Sequence, residues 1–337
     1  MNLCLITVSG GLVGSEAVRF FADKFDSIYG VDNNMRGAMF GNDGSVNENI
    51  ESLKHIKNYQ HINCDYREFI PFSQDFKLII HCAAQPSHDY ASNHAIFDFD
   101  INATGTVRLL EQYRNLCPEA VFIFMSTNKV YGDIVNRHSY QELNKRILLD
   151  WFEVVNEAMP IDQSMHSIYG ASKLAADIMV QEYGKYYGLK TVCFRAGCIS
   201  GASHAGVEAH GFLNYLMKCA IQKKKYKIFG YGGKQVRDNI HAFDLVTAFW
   251  QFYQNPKHGE VYNIGGGLES NCSILEAIEM CEEITTNKMD IEFIDEPRKG
   301  DHKWWISDSS KFREDYPQWK LTYNVRDILT QIHERNK

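Results

Sequence analysis

The sequence predicts an α/β fold, a doubly wound parallel sheet with a smaller C-terminal lobe. Three observations carry that prediction. Short apolar runs alternate with longer helical patterns as far as residue 197; a glycine-rich turn, LITVSGGLVGS (5–15), joins the first run to the first helical pattern; and an acid, Asp32, closes the second run. Apolar runs without strict alternation suit strands covered on both faces, and their alternation with helices suits right-handed crossovers.

In chain order, NLCLIT (2–7) reads as the first strand, GSEAVRFFADKF (14–25) as a helix and SIYGVD (27–32) as the second strand. HINCD (61–65), LIIHCAA (78–84), AVFIFMST (120–127) and KTVCFRAG (190–197) continue the strand series. Helical patterns fall at 96–115 and 169–188. Beyond residue 198 regularity fades: CISGASHAGVEAHG reads as loop, FLNYLMKCAIQKKK as helix, and residues 226–254 as strand, turn and helix. Residues 1–197 with about 236–262 are expected to form a Rossmann-type dinucleotide domain. Residues of about 198–235 with 263–337 are expected to form a lobe facing the strand ends, where such folds keep their ligand crevice. The polar connection at about 133–165 has the length of a functional loop.

Composition narrows the class. With 45% hydrophobic and 23% charged residues the chain reads as an ordinary globular protein, and no apolar stretch reaches membrane-span length. MNLCLIT lacks the basic start and the length of a signal segment, so a cytoplasmic location is the expectation. A net charge of −7 offers no footprint for nucleic acid, and KKKYK (223–227) reads as a solvated helix end. The nine cysteines are scattered without a C-x-x-C pair, which reads as reduced core thiols with no metal site.

Gly10, Gly11 and Gly14 precede a helix at once, so the backbone of Gly11, Leu12, Val13 and Gly14 can face a phosphate. Asp32 can hold ribose hydroxyls and repel a 2′-phosphate, which favours NAD over NADP; Asn33, Asn34 and Arg36 follow on the same strand end, and Arg36 is the one residue there suited to a 2′-phosphate. Asp65, beside Tyr66, can accept from an adenine amino group or serve as a turn residue. Ala83 and Ala84 are small where backbone must pass close to a cofactor. Val8 stands where the turn should have its first glycine. Forced to positive φ it would cost about 1–3 kcal/mol; at negative φ the turn would merely shift. Weakened or displaced pyrophosphate binding is expected, not its loss.

Tyr169 and Lys173, in SIYGASK, lie four apart on a helix and so share a face. A lysine charge beside a phenol lowers its pKa from about 10 and makes it a usable base. Thr127, at the end of a strand in MSTNKVYGD, can meet the same substrate oxygen. Asn102 can brace the sheet or a water chain beside the cofactor.

VSGGLVGS, HCAAQ, STNKVYGD, YGASK and GKQVRDNIH, in that order, resemble the extended short-chain dehydrogenase/reductases that act on nucleotide sugars, over nearly the whole chain. Within that epimerase/dehydratase family the combination is most similar to the CDP-paratose 2-epimerases, also called CDP-tyvelose epimerases. The resemblance implies that Tyr169, helped by Thr127, deprotonates a sugar hydroxyl while hydride passes to bound NAD. A transient keto sugar and enzyme-bound NADH follow, and hydride returns to the other face, at C2 in the paratose enzymes. Lys173 would hold the nicotinamide ribose. Related 4,6-dehydratases carry an acid pair after the catalytic threonine; Asn128 and Lys129 stand there, so elimination lacks its acid and base. Arg237 and Arg298 match diphosphate-binding arginines. Gln85, His88 and Asn128 can face the sugar, although His88 can equally be a loop residue. Cys198 replaces an asparagine that many relatives use for the diphosphate. His241 and Asp244 are expected to tie a helix, and Trp304 and Trp305 to pack the lobe. The resemblance also implies a homodimer through the helices at 96–115 and 169–188 and a place in surface polysaccharide assembly. A 4-epimerase, a net oxidoreductase, or a non-catalytic NAD-binding scaffold protein are the alternatives; Val8 alone favours the last.

Overall fold

The computed structural model describes residues 1–69, 75–150, 154–208, 210–298 and 300–337. Seven parallel strands form the main sheet, in the order Glu260–Ile264, Lys190–Ala196, Val121–Thr127, Phe76–His81, Leu3–Thr7, Ser27–Val31, Tyr59–Ile62. Strand order therefore reverses between Leu3–Thr7 and Phe76–His81, and the glycine turn emerges at that reversal. Burial explains why the strands read without alternation. Cys4 and Ile6 enter one core cluster with Leu78, Ile80 and Phe194, while Leu3 and Leu5 enter the other with Ile79 and Phe122. Each such side chain, fully buried, contributes about 1.5–3 kcal/mol.

The third strand lies two residues earlier than expected, at Tyr59–Ile62, because Asp65 caps a short 3₁₀ turn with its side chain on Arg67 N. The first helix spans Leu12–Phe21. The expected 96–115 helix is three pieces: Ala95–Phe99, a π-helical segment Asp100–Thr104, and Gly105–Leu116. The π segment turns Ile101, Asn102 and Ala103 inward. The next long helix runs Ser167–Tyr187 and stops at Gly188, whose φ of +69° suits a left-handed C-terminal glycine.

Val236–His241 leaves the main sheet and pairs with Cys198–Ser200, Asn271–Ser273 and Trp304–Trp305. Residues 198–211, expected as loop, thus contain a short strand. Tyr226–Phe229 pairs with Ile291–Ile294, and the helices Phe212–Gln222, Ile274–Thr285 and Val325–Arg335 share a core of Leu216, Ile278 and Leu329. The connection at 133–165 carries a 3₁₀ turn and a hairpin, Tyr140–Glu142 with Ile147–Leu149; its residues 151–153 lie outside the described ones. His241 caps the Ala242–Gln254 helix through Phe243 N (3.0 Å), and Asp244 Oδ2 accepts from Thr322 N and Tyr323 N. Trp304 and Trp305 are buried, Trp305 stacking on Tyr131. Lys223–Lys225 are exposed where the Phe212–Gln222 helix ends. All nine cysteines are free. Among the described residues no cluster suits a metal ion, and no helix is long and apolar enough to cross a membrane.

Candidate active site

A cavity of about 480 Å³ lies at the C-terminal ends of the main strands, between them and the Cys198–Ser200, Phe212–Gln222 and Tyr226–Phe229 elements. At one end is the glycine turn. Val8 adopts φ +54°, so the strained alternative is the one the chain takes. Its N–H donates to Val31 O (2.7 Å) and its carbonyl accepts from Gly11 N (3.1 Å), which closes the turn despite the strain. The Leu12–Phe21 helix then begins at Gly11 with no side-chain cap. Gly11, Leu12, Val13 and Gly14 all line the cavity, leaving first-turn N–H groups as an anion cradle. A β-carbon on Gly14 would stand 2.1 Å from Val8 O, so glycine is required there.

Asp32 is buried at the cavity edge. Its Oδ2 accepts from Gly10 N (2.9 Å) and its Oδ1 from Asn34 N (2.8 Å); burial raises its pKa and both N–H groups oppose that. Asn33 lines the cavity but Asn34 does not. Asn34 takes φ +52° and spends its amide on Val46 N (2.9 Å) and Ser45 Oγ (3.1 Å), so it braces a loop. Arg36 lines the cavity with its guanidinium committed: Nη2 donates to Ala205 O (2.7 Å) and Nη1 meets His210 Nδ1 (3.2 Å). Two of its N–H donors are thereby spent within the protein. Asp65 also lines the cavity, its oxygens held by Arg67 backbone and side chain. The Tyr66 hydroxyl donates to Ile101 O. Thr7 Oγ1 accepts from Cys82 N and Ala83 N (3.0 Å each), which fixes the backbone at Ala83 and Ala84 along the cavity wall.

Asn102 is absent from that wall, and its placement beside the cofactor is corrected. Fully buried, it accepts from Gln85 N (2.9 Å) and donates to Ser172 Oγ (3.0 Å) and Asp98 Oδ1 (3.1 Å). It couples the Gln85 segment to the helix bearing Tyr169. Gln85 lines the cavity, although it is 1% exposed and its side-chain amide is engaged by Asp98, Ser87 O and Ser87 N.

Thr127 ends its strand, its hydroxyl accepting from Lys129 N (3.2 Å) and lying close enough to the Tyr169 phenol to lower its pKa. Burial outweighs that influence and pushes the phenol up to about 12. Lys173 does not oppose it as expected. Its ammonium donates to Met125 O (2.7 Å) and lies 4.0 Å over the Phe124 ring, and burial pushes its pKa down to about 8. The reason is geometric: a shared helix face puts the two side chains in one cavity without pointing them at each other.

Asn128 is buried beside Thr127. Lys129 Nζ donates to Gly300 O (3.0 Å) and pairs with Asp301 Oδ1 (3.4 Å), which also takes Arg237 Nη2 (2.6 Å). These two cations hold the Asp301 carboxyl well below its ordinary range. Arg298 donates to Glu208 O (3.0 Å) and lies over Phe229, and Cys198 is a half-buried thiol whose desolvation pushes it up to about 11. Lys129, Arg237, Arg298, Cys198 and Asp301 share the cavity with Thr127, Tyr169 and Lys173. Asp301 escaped the sequence reading, although RKGD places it three residues after Arg298. So did the Asp177–Arg195 ion pair beneath Ser126, for which no local pattern existed.

The glycine cradle at the strand-order reversal, with Thr127, Tyr169 and a buried lysine in one cavity, defines an enzyme that works with a bound dinucleotide. The chain belongs to the NAD dependent epimerase/dehydratase family, whose model matches residues 4–265. NAD is the cofactor of that family. CDP-paratose 2-epimerase of Salmonella typhi is 27% identical over 98% of each chain, and a dTDP-glucose 4,6-dehydratase of Escherichia coli is 26% identical over 92% of this chain and 87% of its own. Among solved structures, UDP-glucuronic acid 4-epimerase from Bacillus cereus, with UDP-glucuronic acid and NAD, superposes with a TM-score of 0.81 at 23% identity, covering 99% of this chain and 98% of that one.

Proposed function

We propose that this chain is an NAD-dependent epimerase of a nucleotide-activated hexose, acting at C2 of a CDP-hexose through a transient keto sugar. One observation carries the choice of epimerisation over elimination: Asn128 and Lys129 follow Thr127, and Lys129 is held by Gly300 O and Asp301. No carboxylate succeeds the Thr127–Tyr169 pair to drive loss of water. The Salmonella typhi relative supports C2 and the cytidine nucleotide.

The uncapped turn at Gly11–Gly14 fits a pyrophosphate, and Asp32 fits ribose hydroxyls. Bound NAD supplies a cationic ring near the phenol and takes up, then returns, a hydride. Tyr169 accepts the sugar hydroxyl proton and Thr127 holds the same oxygen in place. In the described state the buried phenol keeps its proton, so a positive charge at the site is what makes it a base. Lys173, fixed on Met125 O, keeps an ammonium at that wall and is placed to hold the nicotinamide ribose. Arg237 and Arg298 bind the substrate diphosphate, with Asp301 aligning Arg237. Residues 1–197 hold the cofactor in this reading, and the second lobe covers the sugar nucleotide. Exposed Ile96, Phe99 and Ile178 support a homodimer through these helices, which sedimentation at monomer mass would overturn.

The test is turnover of CDP- and UDP-hexoses in deuterium oxide by protein as purified, with its nucleotide identified after denaturation. Stoichiometric NAD or NADH and a C2 epimer that keeps its protium are expected. Deuterium at the inverted carbon would refute the keto-sugar route. A protein that comes empty and exchanges NAD freely would favour net oxidoreduction.

A further inference from the structure

Ser167 opens the helix that carries Tyr169 and sits at φ +62°, an unusual conformation for a residue other than glycine. Its hydroxyl oxygen accepts from Gly170 N (3.2 Å) and lies 2.9 Å from Nδ1 of His88. The backbone N–H of Gly170 can only donate, which leaves the Ser167 proton available to His88 Nδ1. In that arrangement Nδ1 accepts, and the ring carries its own proton on Nε2.

The imidazole stays neutral, because burial and the Lys129 and Arg298 cations hold it at about 3 against the opposing pull of Asp301. It lines the cavity, with its ring 5.0 Å from that of Tyr169 at 60°. Among the described residues Nε2 has no hydrogen-bond partner, and it is not one of the buried unpartnered atoms. A neutral donor thus stands beside the Tyr169 phenol with no acceptor among the described residues.

We propose that His88 is a specificity-determining residue whose Nε2–H receives an oxygen of the hexose other than the one that meets Tyr169. The inference rests on the epimerase reading and deepens it. Tyr169 and Thr127 engage the reacting oxygen, whereas His88 checks a second oxygen and so fixes which carbon is presented to them. Gln85 lines the same cavity, but its side-chain amide is already engaged by Asp98 and Ser87, whereas Nε2 of His88 is not. A donor of this kind rejects a deoxy analogue because Nε2–H would then be left without an acceptor in a water-poor site.

The test pairs His88→Phe, which keeps the ring packing, with His88→Gln, which restores a donor at similar reach. Each is assayed for kcat and KM on a nucleotide hexose and on its singly deoxygenated analogues. His88→Phe should lower kcat/KM on the parent sugar about ten-fold and leave one deoxy analogue unaffected, and His88→Gln should recover most of the loss. Equal values for wild type and His88→Phe on every sugar would overturn the proposal while leaving the epimerase reading intact. Nitrogen-15 spectra of labelled histidine, assigned with His88→Gln, decide independently of turnover. A proton on Nε2 that shifts when nucleotide hexose is added is expected, and a proton on Nδ1 overturns the proposal. A wild type inert toward every nucleotide hexose would refute the epimerase reading instead.

Discussion

The carbonyl oxygen of Val8 lies 2.1 Å from the point where a β-carbon on Gly14 would stand. The glycine turn and the helix after it are pressed together there, and two consequences follow. Gly14 accepts no side chain, and Val8 must hold its carbonyl against the helix, which it does at φ +54°. The strain resides in Val8, while the uncapped N–H groups of the helix stay free to face the cavity.

Val8→Gly and Val8→Ala both remove the isopropyl group, but only glycine relieves positive φ. Val8→Gly should therefore be the more stable of the two by about 1 kcal/mol in urea unfolding. The reverse order would mean that the turn is not strained.

Tyr169→Phe removes the proton acceptor and keeps the ring that packs on His88. Turnover should fall by about 10²–10⁴. The nucleotide released on denaturation should match wild type in identity and amount. Undiminished turnover would sink the assignment of the base.

Arg36 and Asn49 lace the 203–210 segment to the cofactor side. Arg36 reaches Ala205 O and His210, and Asn49 Nδ2 donates to both Gly10 O (2.9 Å) and Ser203 O (2.8 Å). Arg36→Ala unties part of this strap and should speed NAD release about ten-fold, by the loss of two hydrogen bonds. Its preference for NAD over NADP should be unchanged, because Asp32 still stands where a 2′-phosphate would lie. Release is measured by exchange against labelled NAD.

Lys173 titrates at about 8 in the folded protein, below its ordinary 10.5. Below pH 8 both folded and unfolded chains hold the proton, and the full cost of the buried ammonium is present. Between pH 8 and 10.5 the unfolded chain binds more protons, so stability rises with pH by at most about 3 kcal/mol from this group. Lys173→Met should lack that rise in denaturant unfolding followed across the same range. Activity that needs the ammonium should fall as pH passes 8.

Much of the site was legible because its chemistry travels in short runs. Thr127 ends a strand, Tyr169 and Lys173 share a helix turn, and Gly10, Gly11 and Gly14 sit between a strand and a helix, all within a few residues of their own backbone signals. Asn34 and Asn102 misled because an amide placed by a motif can turn either way. In each case the partner that turned it lies elsewhere in the chain: Val46 and Ser172.

The sequence by itself determined the parallel sheet, the dinucleotide turn and the candidate residues for the chemistry, since periodicity and local spacing are properties of neighbouring residues. Only the tertiary structure decided the conformation of Val8, the direction of the Lys173 ammonium, the contacts of Arg36 with Ala205 and His210, and the Ser167–His88 contact. Those depend on which distant groups burial brings within about 3 Å, where one hydrogen-bond partner excludes another.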